Sequence, residues 1–305
     1  MADTIAVIVP TFNAANFVAR AIKSALRQKE VSEIIVVDDA STDTTCDVVA
    51  ALAERDPRVR LIRSSSNGGP SAARNTGINA ARSDWIAILD ADDAYASDRF
   101  EALLALASKH DADIVSDNLT YYDLQHDEIL GPAVHPVPPV QQVTIEKLFR
   151  STPTGGRDYV TLKPVFRRAF LKKHGLRYDP SIRNGEDFDI LAKSLLAGAK
   201  FVAALDNATY LYTTRESGTS KTLLDDEPVI AQSKRWLRHP AFRNSAQLSR
   251  LVKTRVDILR RRQLDRRTGD AGLAKRVGTV ALALRSHSGR RWLFDWTRSR
   301  FGLAG

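Results

Sequence analysis

The stretch IAVIVPTFNAANFVARAIKSALRQKEVSEIIVVDD, residues 5–39, holds two short apolar runs with a helical pattern between them. Ile5–Pro10 and Glu33–Asp39 are rich in β-branched residues and apolar at successive positions, as in a strand buried on both faces. Between them Phe17, Ala21, Ile22 and Ala25 recur at helical spacing. Strand, helix and strand in so short a span predict a βαβ unit with parallel strands and a right-handed crossover.

The same rhythm continues outward. VRLIR (Val59–Arg63) and DWIAILD (Asp84–Asp90) read as two more buried strands. Val48, Val49 and Leu52 mark one intervening helix, and Ala72, Ala73, Thr76 and Ile78 mark another after the turn NGGP. The pattern βαβαβαβ predicts an α/β fold with a mostly parallel, doubly wound sheet. Ligands of such sheets collect at the carboxyl ends of the strands. PTFN, DDAST, SSSNGGPSAARN and DADD all follow strands, so these polar clusters should converge on one rim.

Beyond Asp90 a helix is expected near Phe100–Ala107, then a strand in ADIVSDNLTYYDL and a loop or crossover in GPAVHPVPPV. A helix opens at Thr144. Another begins in RNGEDFDILAKSLLAGAKF, with Asn184 as its cap, Phe188, Leu191 and Leu195 on one face, and Gly198 at its end. ATYLYTT reads as a strand, and from Pro228 the pattern is helical and basic.

Composition bounds the class. The chain has 305 residues, 43% hydrophobic and 27% charged, as in an ordinary globular protein. No apolar run approaches the roughly 20 residues that span a bilayer. The first dozen residues lack a basic n-region, so the expected compartment is the cytoplasm. The single cysteine, Cys46, is expected to pack a helix. Net charge is +9, but Ala241–Gly305 carries 16 Lys/Arg against 4 Asp/Glu, a net of +12 that leaves −3 for residues 1–240. Such a tail suits an anionic surface, nucleic acid or solvent.

Asp90, Asp92 and Asp93 place three carboxylates within four residues at a strand end. Crowded acids raise one another's pKa unless a cation is near. Oxygen ligands on a short loop suit Mg²⁺ or Mn²⁺, ions that keep waters and bridge to phosphates. The competing reading is capping of the next helix by Asp92, Asp93 and Asp98, but a cap needs one acid rather than three. In Asp38-Asp39-Ala40-Ser41-Thr42-Asp43 a carboxylate can accept from a nucleobase N–H or ribose hydroxyls, while a neighbour caps the following helix. VPTFNAANF lacks the glycines of a dinucleotide fingerprint, and the six histidines show no zinc-ligand spacing.

In order, VPTFN, VVDDAST, NGGPSAARNTGI and LDADD resemble the signature of glycosyltransferase family 2 on a GT-A fold, over roughly Ile5–Thr214. The resemblance implies inverting transfer of a sugar from a nucleotide diphosphate donor, most often a UDP-sugar. It implies that Pro10, Phe12, Asn13 and Asp39 meet the nucleobase side of the donor and that Arg74 helps bind the nucleotide. Asp90, Asp92 and Asp93 would form the metal and ribose site, with Asp92 and Asp93 as metal ligands, although spacing does not choose among the three. YLYTTRESGTSK resembles the loop that closes over the diphosphate: it keeps Arg215, but Glu216 and Ser217 stand where the family carries a histidine.

Inversion needs a base on the face opposite the leaving group. NGEDFD resembles the family's acidic motif, which implies Asp187 as that base and Glu186 in support; the competing reading is again helix capping. The expected organisation is a catalytic domain over 1–227, with a nucleotide-sugar half about 1–115 and an acceptor half about 116–227. A helical basic region would span 228–305. In SGRRWLFDWTRSRFGLAG, Trp292, Trp296 and Leu303 share a stripe beside Arg290, Arg291, Arg298 and Arg300, which suits peripheral contact with the inner face of the cell membrane. The nearest resemblance is to succinoglycan-type exopolysaccharide enzymes, which implies UDP-glucose as donor and a lipid-linked oligosaccharide as acceptor. Two rivals are a metal-dependent nucleotidyltransferase, which would need no base at Asp187, and a nucleic-acid-binding protein, which the acidic rim disfavours.

Overall fold

The computed structural model describes residues 3–96, 98–134, 139–150, 159–182, 185–214 and 227–269, with side chains to Leu264. The chain divides into two compact units, residues 1–151 with 156–215, and residues 152–155 with 216–305.

The first unit is built on one sheet. Its strands are β1 (Ile5–Thr11), β2 (Val31–Asp38), β3 (Val59–Arg63), β4 (Trp85–Ile88), β5 (Ala94–Tyr95), β6 (Ile114–Asp123), β7 (Glu128–Pro132), β8 (Val140–Val143), β9 (Val165–Arg167) and β10 (Phe201–Thr214). The helices of this unit are α1 (Val18–Leu26), α2 (Thr45–Ala53), α3 (Pro70–Ala80), α4 (Arg99–His110), α5 (Ile145–Arg150), α6 (Arg168–Lys173) and α7 (Glu186–Leu196). The strand order is β3-β2-β1-β4-β9-β6-β10-β5, with β7 beside β6 and β8 beside β10.

The βαβ reading of residues 5–39 holds. β1 pairs in parallel with β2 and β4, and β2 with β3, so the first four strands form a parallel block. Successive residues of β1 face opposite ways. Ile5, Val7 and Val9 join the core with Val18, Ala21, Ile22 and Ala25 of α1. Ile8 faces α3, where a Cβ on Gly77 would lie 2.4 Å from Ile8 Cγ2. Only glycine admits that approach, and it brings α3, with Arg74 one turn earlier, down onto β1.

The rest of the sheet is mixed. β9 runs antiparallel to both β4 and β6, β6 and β10 are parallel, and β5, β7 and β8 add antiparallel pairs. The sequence pattern did not mark β9 or β5, because three-residue and two-residue strands carry no period of their own. β7 takes Gly131 and Pro132 from the stretch read as a loop, which is tolerated because a proline is compatible with an edge strand.

α7 begins after Gly185, whose φ of 87° places it at the N-cap. The expected cap Asn184 lies outside the described residues. At the other end the N–H of Gly198 donates to Leu195 and that of Ala199 to Ser194, closing a Schellman motif on Gly198 at φ 92°. Asp98 stands at the N-cap of α4 without a side-chain cap bond, so the capping reading of the aspartates near Asp93 is not realised there.

The second unit contains α8 (Glu227–Trp236), α9 (Pro240–Arg243) and α10 (Ala246–Gly269). Trp236 packs at 5.5 Å from Phe242, which is fully buried. Val252, Val256 and Leu259 form the buried stripe of α10 at helical spacing. No helix among the described residues is long and apolar enough to cross a membrane. The stripe of Trp292, Trp296 and Leu303 lies outside the described residues.

Candidate active site

The rim forms where expected, at the carboxyl ends of β1, β2 and β4. Asn13 adopts φ 49°, and its side-chain oxygen accepts from the Thr42 N–H at 2.9 Å while its own N–H donates to Ser41 Oγ at 2.9 Å. These bonds tie the first loop to the second. Beside them Pro10 is half-buried and the Phe12 ring is 50% exposed, so Phe12 presents a face to the rim instead of filling the core.

Asp38 and Asp39 divide their work. Asp38 accepts from the Ser41 N–H at 3.0 Å and shapes its own loop. Asp39 accepts from the N–H groups of Gly68 and Gly69 at 2.9 and 2.7 Å. Gly69 has φ 83° and precedes Pro70, the first residue of α3, so Asp39 sits at the N-terminus of that helix, where a negative charge is favoured. A carboxylate has about four lone-pair sites, and these two bonds leave acceptor capacity for a ligand N–H.

α3 carries Arg74 into the centre. The residue is 4% exposed, and its guanidinium spans two chain segments: Nη2 lies 3.2 Å from Asp90 Oδ1, and Nη1 lies 2.7 Å from Glu186 Oε1 and 3.7 Å from Asp187 Oδ1. Lys163 bridges the same segments, with Nζ 2.5 Å from Asp90 Oδ2 and 3.6 Å from Asp187 Oδ2. Asp90 is therefore neutralised by two cations of the chain itself. Burial favours its neutral form, but Lys163 and Arg74 hold its carboxyl well below the usual carboxylate range. Burial likewise opposes the charge on Arg74 and Lys163, and the surrounding carboxylates, Asp187 and Asp90 foremost, outweigh it and keep both protonated. Glu186 moves the other way, pushed up by burial and then by Asp187.

The three rim aspartates have separate fates. Asp93 is 2% exposed and turns inward, where Oδ2 accepts from the Tyr210 hydroxyl at 2.6 Å and Oδ1 from the Thr213 N–H at 2.8 Å. Burial, then the charges of Asp90 and Asp92, push it up to about 8. It was expected beside Asp92 as a metal ligand; the structure instead uses it to anchor the loop to β10. Asp92 stays half-buried at the rim, and its carbonyl accepts from Arg20 Nη1 at 3.3 Å.

Among the described residues no group of three His, Cys, Asp or Glu gathers as a metal nest. The site still fits a divalent ion of the kind that keeps waters and needs only one or two carboxylates beside a diphosphate. Asp90, Glu186 and Asp187 surround two cations, and Asp92 stands half-buried two residues after Asp90, at the same strand-end loop.

The structure thus unites Arg74, Asp90, Glu186 and Asp187, sets Pro10, Phe12, Asn13 and Asp39 on the adjoining loops, and keeps Asp92 at the rim. Arg215 lies outside the described residues. Sequence reasoning missed Lys163, Tyr210 and Arg20. The trace of Lys163 in the sequence is slight, a single charge inside the run LKPVF.

These features define a class. The chain belongs to glycosyl transferase family 2, whose model matches residues 6–175. Within it the chain is similar to the succinoglycan biosynthesis protein ExoO of Rhizobium meliloti, 38% identical over 249 residues that cover 79% of this chain and 70% of ExoO. It is also 34% identical to ExoU of the same organism over 202 residues, 65% of this chain and 58% of ExoU. The structure resembles Staphylococcus aureus TarS 1-349 in complex with UDP-GlcNAc at a TM-score of 0.64 and 19% identity, covering 98% of this chain and 92% of that one. It also resembles the mannosyltransferase PcManGT of Pyrobaculum calidifontis in complex with GDP-Man and Mn²⁺ at 0.62 and 18%, covering 96% and 83%. At those identities the likeness shows the shared GT-A fold alone.

Proposed function

We propose that the chain is an inverting, metal-dependent transferase that moves glucose from UDP-glucose to a lipid-linked oligosaccharide of exopolysaccharide biosynthesis, at the cytoplasmic face of the cell membrane. One observation carries this reading. A single guanidinium, Arg74, touches a strand-end aspartate of the rim and the carboxylate pair that opens α7, which puts a donor-side acid and a candidate base in one site. The kinship with ExoO and ExoU supports the class of acceptor, and the ligands of TarS and PcManGT support a nucleotide-sugar donor.

In this reading residues 1–227 form the catalytic part, with the nucleotide-sugar half about 1–115 and the acceptor half about 116–227. The basic region 228–305 meets the membrane. Pro10, Phe12, Asn13 and Asp39 receive the base, while Arg74, Asp90 and Arg215 receive the sugar diphosphate. Asp92 holds the metal. Bound there, Mg²⁺ or Mn²⁺ supplies Lewis-acid stabilisation of the charge that builds on departing UDP.

Asp187 takes the proton of the acceptor hydroxyl as that oxygen attacks the anomeric carbon and the bond to UDP breaks. Glu186 is spent on Arg74 at 2.7 Å, whereas Asp187 lies 3.6 and 3.7 Å from its two cations, so its lone pairs are not consumed by them. This difference favours Asp187 as the base.

A thermal-shift panel of UDP-sugars with and without Mn²⁺ tests the reading, since a donor that binds only the folded state raises its apparent stability. UDP-glucose is expected to stabilise the chain in a Mn²⁺-dependent way, and Asp92→Ala is expected to remove that dependence. Release of pyrophosphate from a nucleoside triphosphate would instead establish a nucleotidyltransferase. A salt-sensitive polynucleotide complex unchanged in Asp92→Ala would establish the nucleic-acid reading.

A further inference from the structure

We propose that Lys163 is a positioning residue of the transfer, holding Asp187 in place against Asp90. The proposal rests on the reading of Asp187 as the base. A buried ammonium is costly unless paired, and Lys163, 9% exposed, is paired with Asp90 at 2.5 Å and with Asp187 at 3.6 Å. The two partners are held differently. Asp90 is within hydrogen-bond reach of Lys163, while Asp187 has one oxygen facing Lys163 at 3.6 Å and the other facing Arg74 at 3.7 Å. Two cations placed on opposite oxygens fix the direction of a carboxylate by charge while leaving its lone pairs to an acceptor hydroxyl.

The backbone supports this role. Lys163 has φ 48°, an uncommon conformation for a residue with a side chain, and it directly precedes Pro164, which narrows its choices further. Such strain persists where the surroundings over-determine it, and it concentrates at functional positions. Here the restraint is traceable. The carbonyl of Lys163 accepts from Arg99 Nη2 at 2.9 Å. Arg99, fully buried, is gripped by Asp117 Oδ1 at 2.8 and 3.1 Å, and the other Asp117 oxygen accepts from the Thr209 N–H at 3.1 Å. A buried ion pair linking α4, β6 and β10 therefore holds the strained residue whose ammonium faces the site.

The test uses the full chain with UDP-glucose and Mn²⁺, following UDP release, with UDP binding and thermal unfolding measured beside it. Lys163→Ala is expected to lower kcat about 100-fold, the scale of a misplaced catalytic group, while KM for UDP-glucose and UDP affinity stay within about threefold. Methylammonium, but not sodium chloride at equal ionic strength, is expected to restore part of kcat. A kcat within about threefold of the parent, or a loss carried wholly by KM, overturns the proposal.

If Lys163→Ala does not fold, Lys163→Arg and Lys163→Gln provide the contrast, with Arg expected to turn over about tenfold faster than Gln through its retained charge. Equal rates for the two overturn the proposal. Asp187→Asn separates the possible failures. If it keeps near-parent turnover, the base reading fails; if it is inactive while Lys163→Ala turns over normally, only the role of Lys163 fails.

Discussion

The two halves of the site are built by different means. The rim at β1, β2 and β4 is a product of short sequence segments, each a strand followed by its own polar turn, joined by local bonds such as those from Asn13 to residues 41 and 42. The opposite wall comes from distant segments: Lys163 lies two residues before β9, which inserts antiparallel between β4 and β6, and Glu186 and Asp187 open α7. Local encoding makes a binding surface that parallel α/β topology delivers to a rim. Long-range packing is what sets Asp187, the proposed base, across from that surface.

Substitutions can damage the two halves separately. The largest effect is expected from Asp187→Asn, which touches only the distant wall: transfer should fall by about 10²- to 10⁴-fold with UDP affinity retained, measured by UDP release and calorimetry. Near-normal turnover would remove the distinction between the halves. Arg74→Met strikes the junction itself. It strands Asp90, Glu186 and Asp187 around Lys163 alone, and breaking a buried ion-pair network on one side costs about 3–5 kcal/mol, readable in urea unfolding.

Gly77→Ala stays on the rim side. Its Cβ would meet Ile8 Cγ2 at 2.4 Å, so α3 must lift from β1, with an expected loss of about 1–3 kcal/mol in urea unfolding and weaker UDP binding through displaced Arg74. The smallest effect concerns the anchor of the rim to β10. Between the ordinary aspartate value of 3.8 and about 8, folded Asp93 keeps a proton that the unfolded chain has released. Its contribution to stability therefore falls as pH rises across that window and levels off above it. In EDTA, Asp93→Asn should show a smaller drop in Tm between pH 5 and pH 8 than the parent chain. Asp90 has the opposite sign: its pairing with Lys163 and Arg74 stabilises the fold above the ordinary aspartate value and is lost as pH falls below it.

Legibility followed the range of the interactions. The βαβ units were readable because Ile5–Val9 and Ile34–Val37 are apolar on both faces and flank a helical period. The loop of Asp90, Asp92 and Asp93 was readable as a site, but not the division of labour within it. Its acids were expected to await a metal, whereas Lys163 and Arg74 already neutralise Asp90, and Tyr210 and Thr213 take Asp93. Tyr210 is 117 residues from Asp93, and no local pattern couples such a pair. Lys163 was missed for the same reason, 73 residues from Asp90 in a segment without periodicity.

The parallel block, the rim and the family of the chain are legible in the order of its residues, because hydrophobic period and turn chemistry act over neighbouring residues. The mixed continuation of the sheet, the inward turn of Asp93 and the two cations shared by Asp90 and Asp187 emerge with the assembled fold. Charge pairing and burial depend on distance in space, and the partners lie far apart in the chain: Tyr210 of β10 for Asp93, and Lys163, just ahead of the three-residue β9, for Asp90.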